Sequence, residues 1–230
     1  MKKSVLVLGL AFALVGCGGS GGGNSAQVTK PEVLTGLYAN QQDRVLMLVD
    51  TARQADNIIV GDFLSNAVMV AHSIKQSGNV IDIKGLTYVD VNTIITDSTV
   101  EAKAQFDNGG VQVSGTLNAQ ILAYNFEKVE DTKSLIELSG SYTNHADGYV
   151  WTIDGAGNLT INGDCLMSGA LKRNGVYFDL ENVTVSNCKI GAMNGVYKGV
   201  LVSAKHGGVD YIAGVVTNDN YTIWGSVNIN

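Results

Sequence analysis

The side chains that could carry out catalysis are few and scattered in this sequence of 230 residues. His72 follows the apolar run Val68–Ala71, His145 precedes Asp147 in a predicted turn, and His206 begins a Gly-Gly turn. A hydrolase needs a nucleophile, a base and an orienting acid in one place. The sequence has no H-E-x-x-H motif and no P-loop to organise such groups. We therefore predict that the protein is not an enzyme and uses no cofactor.

Two further groups of residues favour a structural interpretation over a metal site. The segment Asp154–Asp164 is rich in oxygen ligands, but it lacks the D-x-[DN]-x-[DN]-G order and the terminal Glu of a calcium-binding loop. Cys165 and Cys188 have no further Cys or His at a spacing typical of zinc sites. We therefore predict no metal site. Paired carboxylates leave a glycan-acting envelope enzyme as an alternative, because two such groups can serve as general acid and base.

The N-terminus has the organisation of an export signal. Met1–Ser4 carries two lysines, and the apolar run Val5–Val15 is too short for the ~20 residues of a transmembrane helix. Leu14–Cys17 (LVGC) resembles the lipobox of bacterial lipoprotein precursors. The resemblance implies that residues 1–16 are removed as a signal peptide. It also implies that Cys17 receives a diacylglycerol on its thiol and an acyl chain such as palmitate on its amine.

A lipid anchor at Cys17 would attach the protein to a membrane without any apolar segment of its own. Two or three acyl chains bind a membrane durably, whereas a single chain is marginal. Gly18 and Gly19 follow the cysteine and no Asp adjoins it, which by analogy with bacterial sorting favours the outer membrane. Residues 17–33 are rich in Gly and Ser and are interpreted as a flexible tether of roughly 20 Å. The sequence leaves open whether the folded part faces the periplasm or the cell surface.

Cysteine usage agrees with export to an oxidising compartment. Once Cys17 carries lipid, Cys165 and Cys188 remain as an even pair, and we predict a disulfide between them. The corresponding neighbourhoods in the first half of the chain carry Phe63 and Asn92 instead. We therefore interpret the bridge as a local structural link rather than a catalytic pair.

Three matches between the two halves of the chain indicate an internal duplication. The matching segments occur in the same order: Leu34–Asn40 with Leu138–Asn144, Val80–Ile83 with Tyr177–Leu180, and Gly109–Val111 with Gly207–Val209. The offset is larger for the first match than for the other two. The first copy must therefore contain a net insertion of several residues between positions 50 and 80.

Each copy has the pattern of short strands separated by Gly-, Asn- and Asp-rich turns. Seven or eight strands in about 95 residues leave no room for βαβ crossovers. The segments expected to be helical are Thr51–Asn57 and Leu117–Glu130, although the apolar residues of the second fit a strand period as well as a helical one. We predict an all-β fold of two tandem antiparallel modules, barrel-like or sandwich-like, over residues 34–130 and 138–230. One continuous barrel or sandwich formed by both halves is the alternative.

Composition and plan together limit the partners. The net charge of −6 argues against nucleic-acid binding, which needs a basic surface. The plan resembles lipid-anchored surface lipoproteins with small eight-stranded barrels, among them transferrin-binding and complement-regulator-binding types. That resemblance implies an envelope or extracellular protein as partner. Trp151, Trp224 and the tyrosines near them in sequence are interpreted as core or rim aromatics, although a barrel mouth lined by them would suit a small apolar ligand. We predict an outer-membrane-anchored lipoprotein with a non-catalytic binding or interaction role. A structural or assembly role in the envelope is the alternative.

Overall fold

The computed structural model of the protein describes residues 34–117 and 120–229. The predicted signal peptide, Cys17 and the tether over residues 17–33 lie outside the described residues. The described chain consists almost entirely of antiparallel strands in two modules, which confirms the predicted fold class. None of its helices is long and apolar enough to cross a bilayer.

The first module is a closed barrel of eight antiparallel strands in chain order, which we call the first barrel. Its strands are β1 Gly36–Asn40, β2 Val45–Val49, β3 Ile58–Asp62, β4 Ala67–Ser77, β5 Val80–Val89, β6 Ile94–Phe106, β7 Gly110–Leu117 and β8 Gln120–Lys128. The barrel closes because β8 pairs with β1, with Tyr38 opposite Lys128 and Ala39 opposite Glu127.

The second module is a barrel-like sheet of eight antiparallel strands, which we call the second barrel. It consists of β9 Gly140–Thr143, β10 Val150–Ile153, β11 Asn158–Asn162, β12 Leu166–Asn174, β13 Tyr177–Ser186, β14 Gly195–His206, β15 Val209–Thr217 and β16 Thr222–Asn228. A short helix, α1 Leu135–Leu138, precedes β9, and a single 3-10 turn spans Gly191–Met193. Asn144, directly after β9, donates through Nδ2 to the Ser226 carbonyl in β16 over 3.2 Å. This contact links the two outermost strands of the sheet.

Each barrel has its own apolar core, and a third apolar cluster lies between the barrels. The two faces of β2 show how this arises, since successive side chains of a strand point to opposite faces. Val45 and Met47 belong to the core of the first barrel. Leu46 and Leu48 belong to the cluster shared with the second barrel. The uninterrupted apolar run of β2 is therefore required because both of its faces are buried.

The three matches found in the sequence occupy equivalent places in the two barrels. Val80–Ile83 begins the fifth strand of the first barrel, and Tyr177–Leu180 begins the fifth strand of the second. The Gly-Gly segments at 109–110 and 207–208 lie at the turn between the sixth and seventh strands of each barrel. This correspondence supports the duplication.

The Gly-x-Tyr motif of the first match has the same structural role in both copies. The Tyr38 hydroxyl donates a hydrogen bond to the Leu34 carbonyl over 2.9 Å, and the Tyr142 hydroxyl donates one to the Leu138 carbonyl over 3.0 Å. A Cβ atom on Gly140 would lie 2.8 Å from the Tyr142 hydroxyl oxygen. The glycine is therefore needed so that the tyrosine can fold back over its own strand.

Two predicted helices are wrong. Thr51–Asn57 lies in the loop between β2 and β3, where Asp50 accepts from the Ala52 amide and Asp56 has a φ of 53°. Such side-chain hydrogen bonds and left-handed residues compete with helix formation. The segment 117–130 contains the end of β7 and the whole of β8. Cross-strand pairing of β8 with β7 and β1 outweighs its weak helical periodicity.

Candidate functional site

The site that the fold creates lies at the junction of the two barrels. Leu37, Leu46 and Leu48 on the outer wall of the first barrel pack with Val200 and Val202 on the outer wall of the second. All five side chains are buried. Burial of such side chains contributes roughly 1.5–3 kcal/mol each, so the junction is a third core rather than a loose contact.

A polar cluster closes one end of the junction. The Tyr177 hydroxyl of the second barrel donates to Asp50 Oδ2 of the first over 2.8 Å. Arg53 donates through one nitrogen to the Tyr177 hydroxyl oxygen over 3.0 Å and to Asp179 Oδ1 over 2.9 Å. Asn174 Nδ2 donates to the same hydroxyl oxygen and to Asp179 Oδ2. The cluster therefore joins the loop after β2 to strands β12 and β13.

Burial raises the pKa of Tyr177 well above its ordinary value, while the hydrogen bond from Arg53 acts in the opposite direction. Tyr177 consequently keeps its proton at neutral pH and acts as the donor to Asp50. The pKa of Arg53 is also raised: burial acts to lower it, but the hydrogen bond to Tyr177 and the charge of Asp179 outweigh that effect. The cluster is thus a fixed structural contact between the barrels.

Arg53 belongs to a loop that is longer in the first copy, whereas Asp50 occupies the position of Asp154 in the second copy. The segment Asp50–Asn57 connects β2 to β3, whereas the shorter segment Asp154–Gly157 makes the equivalent connection in the second barrel. The sequence indicates where the insertion lies, but it does not indicate that this loop contacts the second barrel. Its partner residues are more than a hundred positions away, and only the fold brings them together.

The other end of the junction contains a cavity of about 290 Å³, which we call the junction cavity. Apolar side chains from both outer walls line it, including Leu46, Ile59, Val68, Val202 and Val215. The turns that follow β1 and β3 and the end of β14 form its rim. Small-molecule sites have this character, with an apolar interior and a few polar groups at the edge.

Polar contacts across the rim hold the two barrels at a fixed spacing. His206 Nδ1 and Gln41 Oε1 are 2.9 Å apart, and Gln41 Nε2 donates to the Lys205 carbonyl over 3.2 Å. On the other side, Trp224 Nε1 donates to Asn66 Oδ1 over 3.3 Å. The junction cavity is therefore bordered by hydrogen bonds between the barrels rather than by a single flexible loop.

A second cavity of about 260 Å³ opens at one end of the second barrel, and we call it the mouth cavity. Tyr149, Trp151, Met167 and Met193 line it. Trp151 is at the same time a buried core residue, as its interpretation as a core aromatic requires. Trp224 lines both cavities, since it lies on the wall between them.

The Trp151 indole lies over a pair of glycines that face each other in β15 and β16. A Cβ atom on Gly225 would lie 3.3 Å from the indole, and one on Gly214 would lie 3.7 Å from it. The indole is 4% exposed. These glycines therefore make the room in which the ring packs, and they thin the wall between the two cavities.

The predicted disulfide between Cys165 and Cys188 is confirmed. Cys165 directly precedes β12 and Cys188 follows β13, so the bridge closes the open end of this hairpin beside the mouth cavity. Next to it, Lys189 forms an ion pair with Asp164. The bridge and the ion pair together fix the rim of the mouth cavity.

Two carboxylates, Asp147 and Asp164, line the mouth cavity and bear on the alternative of an enzyme. Asp147 accepts from the Tyr149 amide and from Asn144 Nδ2. The hydrogen bonds from Lys189 and Tyr149 lower the pKa of Asp164. A general acid at neutral pH needs a raised pKa, whereas Asp164 has a lowered one. Asp147 accepts hydrogen bonds that organise its own turn.

The three histidines lie in separate parts of the fold. His72 on β4 contacts the Thr87 hydroxyl over 2.8 Å, and His145 lies in the turn between β9 and β10. His206 lines the junction cavity. Within residues 34–117 and 120–229, no group of three or more His, Cys, Asp or Glu side chains is arranged to hold a metal ion.

Comparisons of the chain with protein-family models, curated proteins and solved structures found no match.

Proposed function

We propose that the protein is a lipoprotein anchored to the bacterial outer membrane through Cys17, with a non-catalytic binding role in the cell envelope. The observation that carries the binding role is the junction cavity, whose walls come from two barrels held in a fixed arrangement. The lipobox-like segment Leu14–Cys17 and the Gly-rich tether support the anchor. The folded body needs no further membrane contact to act as a tethered receptor.

The interior of the two modules supports a binding role over a catalytic one. Two titratable groups at the cavities are engaged in contacts within the protein: His206 contacts Gln41 of the other barrel, and Asp164 pairs with Lys189. Rigid walls reduce the entropic cost of ordering a site when a ligand binds. A pre-formed cavity of this kind is suited to capture and release.

The anchor is tested by growing cells with labelled palmitate and comparing the native protein with Cys17→Ser. We expect label and membrane association in the native protein, and loss of both in the variant. A Cys165→Ser, Cys188→Ser double variant is the matched control and is expected to keep the label. A Cys17→Ser protein that still carried label and remained in the membrane would disprove the anchor.

The binding role is tested on protein purified from its own membranes in mild detergent. Organic extraction followed by mass spectrometry is expected to release a small molecule in near-stoichiometric amount. A protein that instead co-purified with a stoichiometric envelope partner and no small molecule would favour the structural or assembly role. Protease treatment of whole cells, with disrupted cells for comparison, then determines whether the body faces outward.

A further inference from the structure

The mouth cavity lies inside the second barrel. Its walls include Leu159, Leu180 and Leu201, which are buried side chains of the second barrel's own core. They come from strands β11, β13 and β14. The sheet therefore surrounds this space, whereas the junction cavity lies between the outer walls of the two barrels.

One polar atom in the wall of the mouth cavity has no partner in the protein. Trp151 is only 4% exposed, yet its indole N–H donates no hydrogen bond within residues 34–117 and 120–229. The indole N–H of Trp224, by contrast, donates to Asn66 across the junction. A buried tryptophan normally pairs its N–H, because an unpaired donor is costly away from water. The N–H of Trp151 is therefore an unused donor.

The unused donor faces the cavity. Among the described residues, no side-chain nitrogen or oxygen that is sealed from solvent lacks a hydrogen-bond partner. The Trp151 N–H has no partner, so it cannot be sealed and must lie at an accessible surface. Trp151 lines the mouth cavity. That cavity is therefore the space in which an acceptor can reach this N–H.

The indole is held in one position. A Cβ atom on Gly225 would lie 3.3 Å from Cζ2 of the ring, and one on Gly214 would lie 3.7 Å from the ring. The ring therefore fills the room above these two glycines and is packed on that side by backbone. A donor fixed before the ligand arrives adds little ordering cost to binding.

The charged groups at the cavity are already engaged and leave no free cation for an anion. Asp164 forms an ion pair with Lys189 and accepts a hydrogen bond from Tyr149. Asp147 accepts from the Tyr149 amide and from Asn144 Nδ2. Two carboxylates against one ammonium group would repel an anionic ligand. A cation is unsuitable beside an N–H donor, so an uncharged ligand fits best.

The size and lining of the cavity describe the rest of the ligand. About 260 Å³ accommodates roughly nine non-hydrogen atoms, at about 30 Å³ for each group the size of a water molecule. The walls are mainly aliphatic. Met167 and Met193 also line the space, and their flexible thioethers can adapt to the shape of a bound molecule. The body of the ligand is therefore small and apolar.

We propose that the mouth cavity binds a small uncharged molecule with an apolar body and one hydrogen-bond acceptor, such as a carbonyl oxygen, that accepts from Trp151 Nε1. Such a ligand would satisfy the unused donor and place no charge among the carboxylates of the rim. The inference adds a second site to the proposed binding function and does not depend on the junction cavity.

The hydrogen bond is tested by nuclear magnetic resonance on the ¹⁵N-labelled mature chain, with Cys17→Ser so that no detergent is needed. The chain has two tryptophans, and Trp151→Phe identifies which indole N–H signal belongs to Trp151. The probes are acetophenone, α-methylstyrene, in which a CH₂ group replaces the carbonyl oxygen, and benzoate, an anion of the same shape. We expect acetophenone to move the Trp151 signal downfield. The same ring in α-methylstyrene should not cause this shift, and benzoate should bind at least about tenfold more weakly than acetophenone.

Calorimetric titration of variants measures the strength of the hydrogen bond. We expect Trp151→Phe to weaken binding of acetophenone about fivefold more than binding of α-methylstyrene, because only the first loses a donor. Comparing the two probes in one variant removes the effect of altered packing. Tyr221→Phe is the matched control, since Tyr221 packs against the same core but is outside the cavity lining, and it should leave both affinities unchanged.

A blocking variant tests the location. Met193 is partly exposed at the cavity, and Met193→Trp would occupy part of its volume. We expect this variant to lose binding of acetophenone and α-methylstyrene while thermal unfolding shows that it remains folded. If it unfolds, Ile223→Phe, at another partly exposed lining position, replaces it.

Each alternative outcome overturns a defined part of the proposal. Equal effects of Trp151→Phe on acetophenone and α-methylstyrene, without the downfield shift, would overturn the role of the N–H. Benzoate that bound as tightly as acetophenone would overturn the uncharged class. Absence of binding by all three probes, or binding that persisted in the blocking variant, would overturn the assignment of the mouth cavity. The anchor and the co-purified ligand of the proposed function have their own readouts and are not decided by these titrations.

Discussion

The Tyr177 hydroxyl of the second barrel donates a hydrogen bond to the Asp50 carboxylate of the first, and both residues are almost completely buried. The contact joins two residues that are 127 positions apart in the chain. It lies at the end of the junction opposite the cavity, so it holds the barrels together without occupying the proposed site. Buried polar groups are costly when unpaired. The Tyr177 hydroxyl depends on the first barrel for its acceptor, and Asp50 Oδ2 depends on the second barrel for its donor.

Replacing Tyr177 with Phe should destabilise the protein, because Asp50 would keep its burial and lose its donor. We expect the free energy of unfolding to fall by about 2 kcal/mol. Urea denaturation followed by circular dichroism measures the change. Tyr221→Phe is the control, since that hydroxyl forms no hydrogen bond within the described residues, and a change below about 0.5 kcal/mol is expected. Equal effects of the two variants would contradict the role given to the Tyr177 hydroxyl.

The contact between Arg53 and Asp179 should show energetic coupling across the junction. The two side chains are only 14% and 22% exposed, which limits screening by solvent. We expect a double-mutant cycle of Arg53→Gln and Asp179→Asn to give a coupling of about 1–2 kcal/mol. The exposed pair Lys103 and Asp82 within the first barrel, treated in the same way, should give less than about 0.5 kcal/mol. Coupling energies that do not differ would mean that Arg53 adds no strength to the junction.

Reduction of the disulfide should lower stability without altering the fold of the first barrel. Cys165 and Cys188 are separated by 23 positions, for which the chain-entropy model gives about 3 kcal/mol. We expect a loss of that size when denaturation is repeated with a reductant. The Cys165→Ser, Cys188→Ser variant should have the lowered stability already and show no response to reductant. If the reductant also lowered the stability of that variant, the loss of stability in the native protein could not be attributed to the disulfide.

Acid should destabilise the protein partly through the turn after β10. The Asn158 side chain, followed by backbone amides, lowers the pKa of Asp154 below its ordinary value of 3.8. The folded state therefore binds this proton more weakly than the unfolded state does. The stabilisation is complete above about pH 4 and is lost as the pH falls through the folded pKa. Urea denaturation at a series of pH values between about pH 7 and about pH 2.5 measures the free energy of unfolding. We expect this free energy to fall less steeply with decreasing pH for Asp154→Asn than for the native protein. Asp219→Asn should follow the native profile, and an identical profile for Asp154→Asn would contradict the prediction.

The sequence was sufficient to predict the fold class and most strands. Alternation in residues 158–161 and the turn residues at Gly175 and Gly207 mark β11 and the hairpins around β13 and β14. The sequence pattern indicates separate strands over residues 176–180 and 183–185, whereas β13 is one long strand with an irregularity between Leu180 and Val183, where Asn182 has a φ of 53°. Strand β12 escaped detection, since Gly169 and the irregularity beside it interrupt its apolar alternation.

The candidate site was predictable only in part. Trp151 and Trp224 were interpreted as core or rim aromatics: Trp151 is buried in the core of the second barrel, and both residues also line the mouth cavity. The junction cavity could not be foreseen, because it depends on which outer face of each barrel packs against the other.

The apolar strip on the outer wall of the first barrel has a consequence for biogenesis. Synthesis proceeds from the N-terminus, so β1 and β2 are complete long before β14 and β15 exist. During that interval Leu37, Leu46 and Leu48 have no covering partner, and such surfaces are prone to aggregate. We therefore expect a first barrel that closes before Val200 and Val202 are available to expose this strip and to be prone to aggregation.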